Sequence, residues 1–297
     1  MFVRIAGVPH HVVAEGSGPV CVLTTGLALS WFDWDPVVPL LAPHRTVVRF
    51  DRPGHGLSGP AAGPPSAAGE AHRIAAVLDA LGLGGPATVV GHSIAGFHAE
   101  AYARLHPGRT AALVLADSSI EETARTPAAP ALRTAAARAV GGALSALGIP
   151  AALGPLARRA AVRLSRTGGG DPAPAELVRR CYTTSRVWRG ALRENAHYRA
   201  VAAELLALRE TAPLPDIPVT VLAGTDGGRR WTARQRGLAM ELGARFREIT
   251  PAGHLLMLDR PDAVARAVLD GDGGATRPGR PRPCAQPGPA PDAQPRA

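Results

Sequence analysis

The chain has 297 residues, 46% of them hydrophobic, which allows one large domain or two ordinary ones with a sizeable core. Its 33 basic residues, all arginine, outnumber the 24 acidic ones. The net charge of +9 would permit nucleic-acid binding, but basic and aromatic residues do not interleave, so that function is not expected. Three scattered cysteines exclude a disulfide framework and a cysteine metal site, and neither a metal nor another cofactor is expected.

The N-terminal stretch FVRIAGVPHHVVAEG predicts an edge hairpin that turns near residues 7–9. It contains no apolar core of the kind found in signal peptides, which predicts a cytoplasmic protein. A long uncharged run, residues 139–157, approaches the length of a membrane span. Because it contains four glycines and two prolines, it predicts broken helices and no stable membrane insertion.

Short apolar segments then alternate with segments of helical periodicity. A helix is predicted over residues 67–84, where apolar residues share one side before the glycines that end it. Buried strands are predicted at 19–26, 46–50, 87–90, 112–116 and 219–223. Because strands that alternate with helices form a parallel sheet covered on both faces, the pattern predicts an α/β fold.

Residues 119–214 interrupt this alternation, since they contain no strand candidate. They are expected to form a helical lid or cap insertion, which would cover a site at the C-terminal edge of the sheet. A helical subdomain with no role at the site is the alternative. Residues 1–118 and 215–270 then form the core, and the Pro/Gly-rich segment 271–297 is predicted to be a disordered tail.

The segment ATVVGHSIAGFHAEAYARLHP, residues 87–107, takes an apolar strand through a short turn directly into a helix. Ser93 in this turn would be exposed at the end of the strand. The backbone N–H of Ile94 would point into the same space at a helix N-terminus, where it can bind developing negative charge. An ordinary glycine-rich turn that binds phosphate is the alternative interpretation of this pattern.

Three stretches resemble motifs of the α/β-hydrolase family. GHSIA, residues 91–95, resembles its nucleophile elbow Gly-x-Ser-x-Gly, with alanine in place of the second glycine. FDRPGHGLS, residues 50–58, resembles its Asp-x-Pro-Gly-His-Gly-x-Ser loop, and TPAGHLLMLDRPDAV resembles its histidine loop. The resemblance covers about residues 1–270 in order and spacing. It implies the α/β-hydrolase fold, a doubly wound and mostly parallel sheet with an inserted helical lid.

The resemblance also implies a catalytic site. Ser93 would be the nucleophile and His254 its base. The oxyanion hole would consist of the backbone N–H groups of Ile94 and Leu27. The family usually has His-Gly just before the second of these donors, whereas this chain has Thr25-Gly26, which leaves the backbone donor in place but changes how the loop is braced.

The third member of the triad has two candidates. The family most often places its acid after the penultimate strand, which favours Asp226, although the usual Gly-x-x-Asp spacing is shortened here to Gly-x-Asp. Asp117, at the end of the preceding strand, is the alternative, since some members of the family keep their acid there.

The implied function is a serine hydrolase that cleaves a small or medium, largely apolar ester, lactone or related carbonyl substrate through an acyl-enzyme intermediate. A non-hydrolytic ligand binder, or a lyase or haloperoxidase-like enzyme of the same fold, is the alternative. The expected partner is a small-molecule substrate, and the sequence leaves the oligomeric state open.

Overall fold

The computed structural model of the chain describes residues 1–124 and 129–271, so most of the predicted tail lies outside the described residues. The described residues contain one sheet of eight strands: β1 (Phe2–Ile5), β2 (Val8–Glu15), β3 (Val20–Thr24), β4 (Thr46–Phe50), β5 (Ala87–His92), β6 (Thr110–Ala116), β7 (Val219–Gly224) and β8 (Arg245–Ile249).

The strand order is β1-β2-β4-β3-β5-β6-β7-β8. The N-terminal hairpin of β1 and β2 pairs antiparallel, β2 pairs antiparallel with β4, and the remaining pairs are parallel. Starting at β3, the chain moves first to one side of that strand and then to the other. The crevice beyond the carboxyl ends of the strands at such a reversal is where sheets of this kind bind ligands.

Alternate residues of the central strands enter two cores, one on each face of the sheet. Val89 of β5 and Leu113 of β6 belong to one core, whereas their neighbours Val90 and Val114 belong to the other. All residues of β5 and β7 are buried. The strands therefore consist of apolar runs, as is typical of a parallel sheet covered on both faces.

Helices cover both faces. The first core contains side chains of α2, α3 and α8, and the second contains side chains of α1, α9 and α10. The helices of the described residues are α1 (Val38–Leu41), α2 (Ala67–Ala80), α3 (Ala95–Leu105), α4 (Pro130–Ala146), α5 (Ile149–Leu164), α6 (Ala175–Tyr182), α7 (Ser185–Thr211), α8 (Gly228–Leu242), α9 (Leu256–Asp259) and α10 (Pro261–Asp270). The predicted doubly wound α/β fold is therefore confirmed.

Helices α4 to α7 form the insertion between β6 and β7, and the described part of that insertion contains no strand. Buried ion pairs attach it to the core, for example Arg209 of α7 with Glu100 of α3 at 2.8 Å. Within the described ranges, none of the helices taken singly has the length and apolarity of a membrane span. Helices α4 and α5 together have that length and apolarity, but a bend of 107° separates them.

Candidate active site

Ser93 lies on a tight turn between β5 and α3, with a φ of 55°. A side chain at Gly91 would overlap the carbonyl oxygen of Ala95, and one at Gly96 would overlap the Ser118 hydroxyl. The turn is therefore possible only because these neighbours are glycines. It leaves Ser93 partly exposed at the C-terminal end of its strand.

His254 lies in the loop between β8 and α9. The loop approaches the end of β7 so closely that a side chain at Gly224 would overlap the carbonyl oxygen of Gly253. Asp259 holds the same loop, because its carboxylate accepts from Gly253 N at 2.9 Å and pairs with Arg166 of the insertion at 2.8 Å. Two separate parts of the chain therefore set the position of His254.

Asp117 follows β6 directly and bonds to His254. Its Oδ2 lies 2.6 Å from His254 Nδ1, while its Oδ1 accepts from Gly224 N at 3.0 Å and from the Trp231 indole at 2.8 Å. The carboxylate is 2% exposed. Because two other donors orient it, it presents one oxygen to the imidazole and would hold the histidine in the tautomer with the proton on Nδ1.

The structure therefore brings Asp117, and not the preferred candidate Asp226, to His254. Asp226 is exposed, in a 3₁₀ turn after β7, and its backbone N–H donates to Ala252 O at 3.1 Å. The physical reason is the shortened spacing after Gly224. It places Asp226 in that turn, while Asp117 leaves the sheet one strand closer to the serine turn.

Ser93 and His254 line the same cavity. Within the described part of the chain, the Ser93 hydroxyl has no hydrogen bond to the imidazole. Such bonds are often long in unliganded enzymes and shorten when substrate binds.

The two predicted oxyanion donors belong to a residue that lines this cavity and to a residue that adjoins Ser93. Leu27 lines it, and Ile94 is the residue just before α3, next to Ser93. Among the described residues, neither backbone N–H has a protein acceptor. Both N–H groups are thus free of protein acceptors within that part of the chain, as the predicted oxyanion hole would require.

Arg52 braces the loop that carries Leu27. Its guanidinium donates to the carbonyl oxygens of Thr25 and Gly26, the latter at 3.0 Å. Glu194 of α7 binds the other side of the guanidinium at 2.8 and 2.9 Å. Arg52 and Glu194 are 4% and 3% exposed, so this buried ion pair connects the insertion, through Arg52, to the oxyanion loop.

His92 separates the oxyanion loop from the histidine loop. Its Nε2 donates to His254 O at 2.9 Å, while a Cβ at Gly26 would lie 2.8 Å from its Nδ1. Burial, with the nearby His254 adding to it, lowers the pKa of His92 well below its ordinary value. His92 is therefore neutral at pH 7, packs against Gly26 and donates a hydrogen bond to the histidine loop.

The cavity beside Ser93 has a volume of about 560 Å³. Its wall is mainly apolar and includes Leu27, Leu29, Val162, Val187, Trp188 and Leu192. Arg158 also lines it, but the guanidinium is already paired with Asp33 and with Asp171, the latter at 3.0 Å. An arginine neutralised by two carboxylates does not favour an anionic substrate.

A family model described as the alpha/beta hydrolase family matches residues 20–267. The chain belongs to the alpha/beta hydrolase family. The family predicted from the elbow, the Asp-x-Pro-Gly-His-Gly loop and the histidine loop is therefore confirmed.

The proteins similar to this member of the alpha/beta hydrolase family include two solved structures and one curated protein. Cfl2 from Burkholderia cenocepacia aligns with a TM-score of 0.73 and 22% identity, over 91% of this chain and 94% of that chain. The enol-lactonase from Burkholderia xenovorans aligns with a TM-score of 0.67 and 25% identity, over 91% and 98%. Polyketide synthase ThaQ of Burkholderia thailandensis is 29% identical over 266 residues, 89% of this chain, and the chain spans 12% of that relative's length.

The sequence did not predict the roles of Arg52, Glu194, His92 and Trp231. Arg52 lies inside the Asp-x-Pro-Gly-His-Gly motif, and the departure at Thr25 was a signal that something else braces the oxyanion loop. Glu194 carries no local signal, because it is one charged residue among many on a helix of 27 residues.

Proposed function

We propose that this alpha/beta hydrolase is a serine hydrolase that cleaves a small or medium, largely apolar ester, lactone or related carbonyl compound through an acyl-enzyme. The supporting observation is the 2.6 Å contact between Asp117 Oδ2 and His254 Nδ1 beside the cavity that also contains Ser93. A buried carboxylate on one imidazole nitrogen leaves the other nitrogen free to act as a base.

In the acylation step, Ser93 Oγ attacks the substrate carbonyl carbon while His254 Nε2 takes the hydroxyl proton. The carbonyl oxygen becomes an oxyanion that accepts from the N–H groups of Leu27 and Ile94. Loss of one such donor typically lowers kcat by a factor of about 10²–10³. His254 then gives its proton to the departing alkoxide, which leaves as an alcohol, or stays attached to the acyl group when the substrate is a lactone.

In the deacylation step, a water molecule enters and His254 Nε2 takes its proton. The hydroxide attacks the Ser93 ester through a second oxyanion held by the same N–H groups. Collapse of this intermediate releases the carboxylic acid, and His254 returns the proton to Ser93 Oγ. Asp117 stabilises the imidazolium in both steps without taking its proton.

The insertion is proposed to act as a lid that selects an apolar acyl or lactone group. Trp188 and Leu192 of α7 and Val162 of α5 contribute apolar surface to the cavity of Ser93. An uncharged substrate suits this wall, because Arg158 is already neutralised by its carboxylate partners. The structural similarity to an enol-lactonase makes lactones a substrate class to include in the test.

The test is turnover of p-nitrophenyl esters of increasing acyl length, together with a lactone and a thioester series. Ser93→Ala serves as the blank, and labelling by a fluorophosphonate probe reports on the nucleophile. Saturable turnover of one series and loss of labelling in the variant are expected. A wild-type protein that is neither labelled nor active on any of these compounds would favour a non-hydrolytic ligand binder.

A further inference from the structure

The peptide group between Gly26 and Leu27 has a carbonyl oxygen and an amide hydrogen with different surroundings. The Gly26 oxygen accepts from Arg52 Nη2 at 3.0 Å. Leu27 lines the Ser93 cavity, and its N–H, on the opposite side of the same planar unit, has no protein acceptor among the described residues. Because a trans peptide group is rigid, a contact that holds the oxygen also sets the direction of the N–H.

Arg52 uses all five of its N–H donors in this contact region. Nη1 donates to the carbonyl oxygen of Thr25 and, at 3.4 Å, to its hydroxyl. Nη2 donates to Gly26 O and to Glu194 Oε2, and Nε donates to Glu194 Oε1 at 2.8 Å. The rigid fork of a guanidinium permits this arrangement, which a single ammonium group could not reproduce.

Glu194 fixes the guanidinium from the insertion. Burial alone would raise the pKa of this carboxyl, but the charge of Arg52, together with His55, holds it well below its usual range. His55 Nε2 lies 3.4 Å from Glu194 Oε2. The carboxylate is therefore ionised at pH 7. Separating it from Arg52 would leave two buried charges unpaired, which is energetically unfavourable.

We propose that Arg52 is a positioning residue that aims the Leu27 N–H at the oxyanion, and that Glu194 of the insertion holds Arg52 in place. The inference rests on the proposed function for its catalytic consequence. It makes α7 part of the oxyanion machinery as well as of the cavity wall, because the two side chains form a continuous link from α7 to the peptide group of Leu27.

Two physical effects follow from this contact. The first is orientation, since the peptide group cannot rotate while its oxygen is bound. The second is polarisation, since a cationic donor on the carbonyl oxygen strengthens the N–H of the same peptide group as a donor. The bracing also compensates for the Thr25-Gly26 pair, in which threonine stands where family members usually have histidine.

The test compares three variants. Arg52→Met with Glu194→Leu removes both charges together, since replacing a buried ion pair by apolar residues is often neutral for stability. Arg52→Lys keeps a positive charge opposite Glu194, but a single ammonium group cannot bind both carbonyl oxygens. If the double variant does not fold, this single variant tests the proposal. Arg209→Met is the matched control, because it removes another ion pair between α7 and the core, distant in sequence from the oxyanion loop.

Transition-state stabilisation distinguishes positioning from a merely structural role. In the double variant, kcat should fall about 10²-fold with KM changed less than about threefold. The affinity for a trifluoromethyl ketone, which forms an oxyanion on Ser93, should fall in parallel with kcat/KM. Arg52→Lys should lose about tenfold in kcat, and Arg209→Met should stay within about twofold of the wild type. A folded double variant or Arg52→Lys variant with wild-type kcat and inhibitor affinity would overturn the proposal.

A measurement that does not depend on turnover can test this proposal independently of the proposed function. The amide resonance of Leu27 in a ¹⁵N–¹H spectrum should shift in the double variant or in Arg52→Lys, and remain in place in Arg209→Met. If the wild type shows neither turnover nor fluorophosphonate labelling, the hydrolase function fails, and the bracing is then judged on this resonance alone. An unmoved Leu27 amide would overturn it.

Discussion

Ser93 and Asp117, which follow the neighbouring strands β5 and β6, adopt φ angles of 55° and 45°. Non-glycine residues rarely occupy this region, and each such residue costs on the order of 1–3 kcal/mol. Backbone bonds hold both residues there, from Ser93 N to Ala116 O at 3.3 Å and from Asp117 N to Leu222 O at 2.8 Å. The strain ends both strands abruptly, so that one side chain borders the cavity and the other reaches the histidine.

Ser93→Ala is expected to lower kcat by about 10⁴–10⁶ because it removes the attacking oxygen. The residue is small and partly exposed, so the unfolding midpoint should remain close to that of the wild type. Steady-state kinetics on the best p-nitrophenyl ester and a thermal unfolding curve measure the two quantities. Near-normal turnover in the variant would end the serine-hydrolase proposal.

Asp117→Asn should lower kcat by about 10⁴, because an amide no longer selects the histidine tautomer with the proton on Nδ1. Asp226→Asn is the matched control, since this exposed carboxylate makes no hydrogen bond to His254 in the described structure, and it should stay within about twofold of the wild type. Kinetics of the two variants under identical conditions decide between the residues. A large loss in the control with an active Asp117→Asn would restore Asp226 as the acid.

Helix α5 places small side chains along the cavity and larger exposed ones beside them. Ala157 and Ala161 line the cavity, one helical turn apart, whereas Ala160 does not. Because Ala160 and Ala161 are both exposed, a larger side chain at either position does not overpack the core. The helix therefore offers a direct test of whether the insertion sets substrate size.

Ala161→Trp should shorten the preferred acyl chain by filling part of the cavity. Turnover of short esters should be unaffected, while kcat/KM for long-chain esters should fall about tenfold or more, in line with the 1–3 kcal/mol associated with small changes of fit in an apolar pocket. Ala160→Trp adds the same side chain one residue away and should leave the profile unchanged. A chain-length profile of Ala161→Trp identical to the wild type would show that α5 does not contact the acyl group.

Packing of α3 between the sheet and the surrounding helices buries a titratable side chain for which the described residues provide no hydrogen-bond partner. His98 is 1% exposed, and among the described residues neither ring nitrogen has a hydrogen-bond partner. Burial, with the charge of Arg52 adding to it, lowers the pKa of His98 from 6.5 to about 4. Between about pH 4 and pH 6.5, the fold therefore keeps this imidazole neutral, whereas an exposed histidine would be protonated.

His98 should make the protein less stable in mild acid. The unfolded chain binds a proton at His98 below about pH 6.5, whereas the folded chain does so only near pH 4, so the free energy of unfolding falls as pH falls between these values. The contribution is at most about 3 kcal/mol. His98→Leu should flatten this part of the profile, measured by urea unfolding from pH 7 to pH 4. An unchanged slope would show that other groups cause the acid sensitivity.

The amino-acid sequence alone predicts the alternation of strands and helices and the family. It also predicts Ser93, His254 and the two oxyanion N–H groups as candidates for the site. Each of these depends on residues within a short stretch. Apolar periodicity sets the strands, and small residues around Ser93 permit the turn between β5 and α3. Such local constraints can be recognised in the sequence even when the packing partners of the segment are unknown.

Two features depend on contacts between distant parts of the chain: which of Asp117 and Asp226 bonds to His254, and the bracing of the oxyanion loop. Both acids end sheet strands, so their local sequences are nearly equivalent, and the choice depends on strand order and on how closely the histidine loop approaches Gly224. Arg52 and Glu194 are 142 positions apart, and neither side chain predicts the other. Their contact exists because folding places α7 over the oxyanion loop, where two buried charges are stable only as a pair.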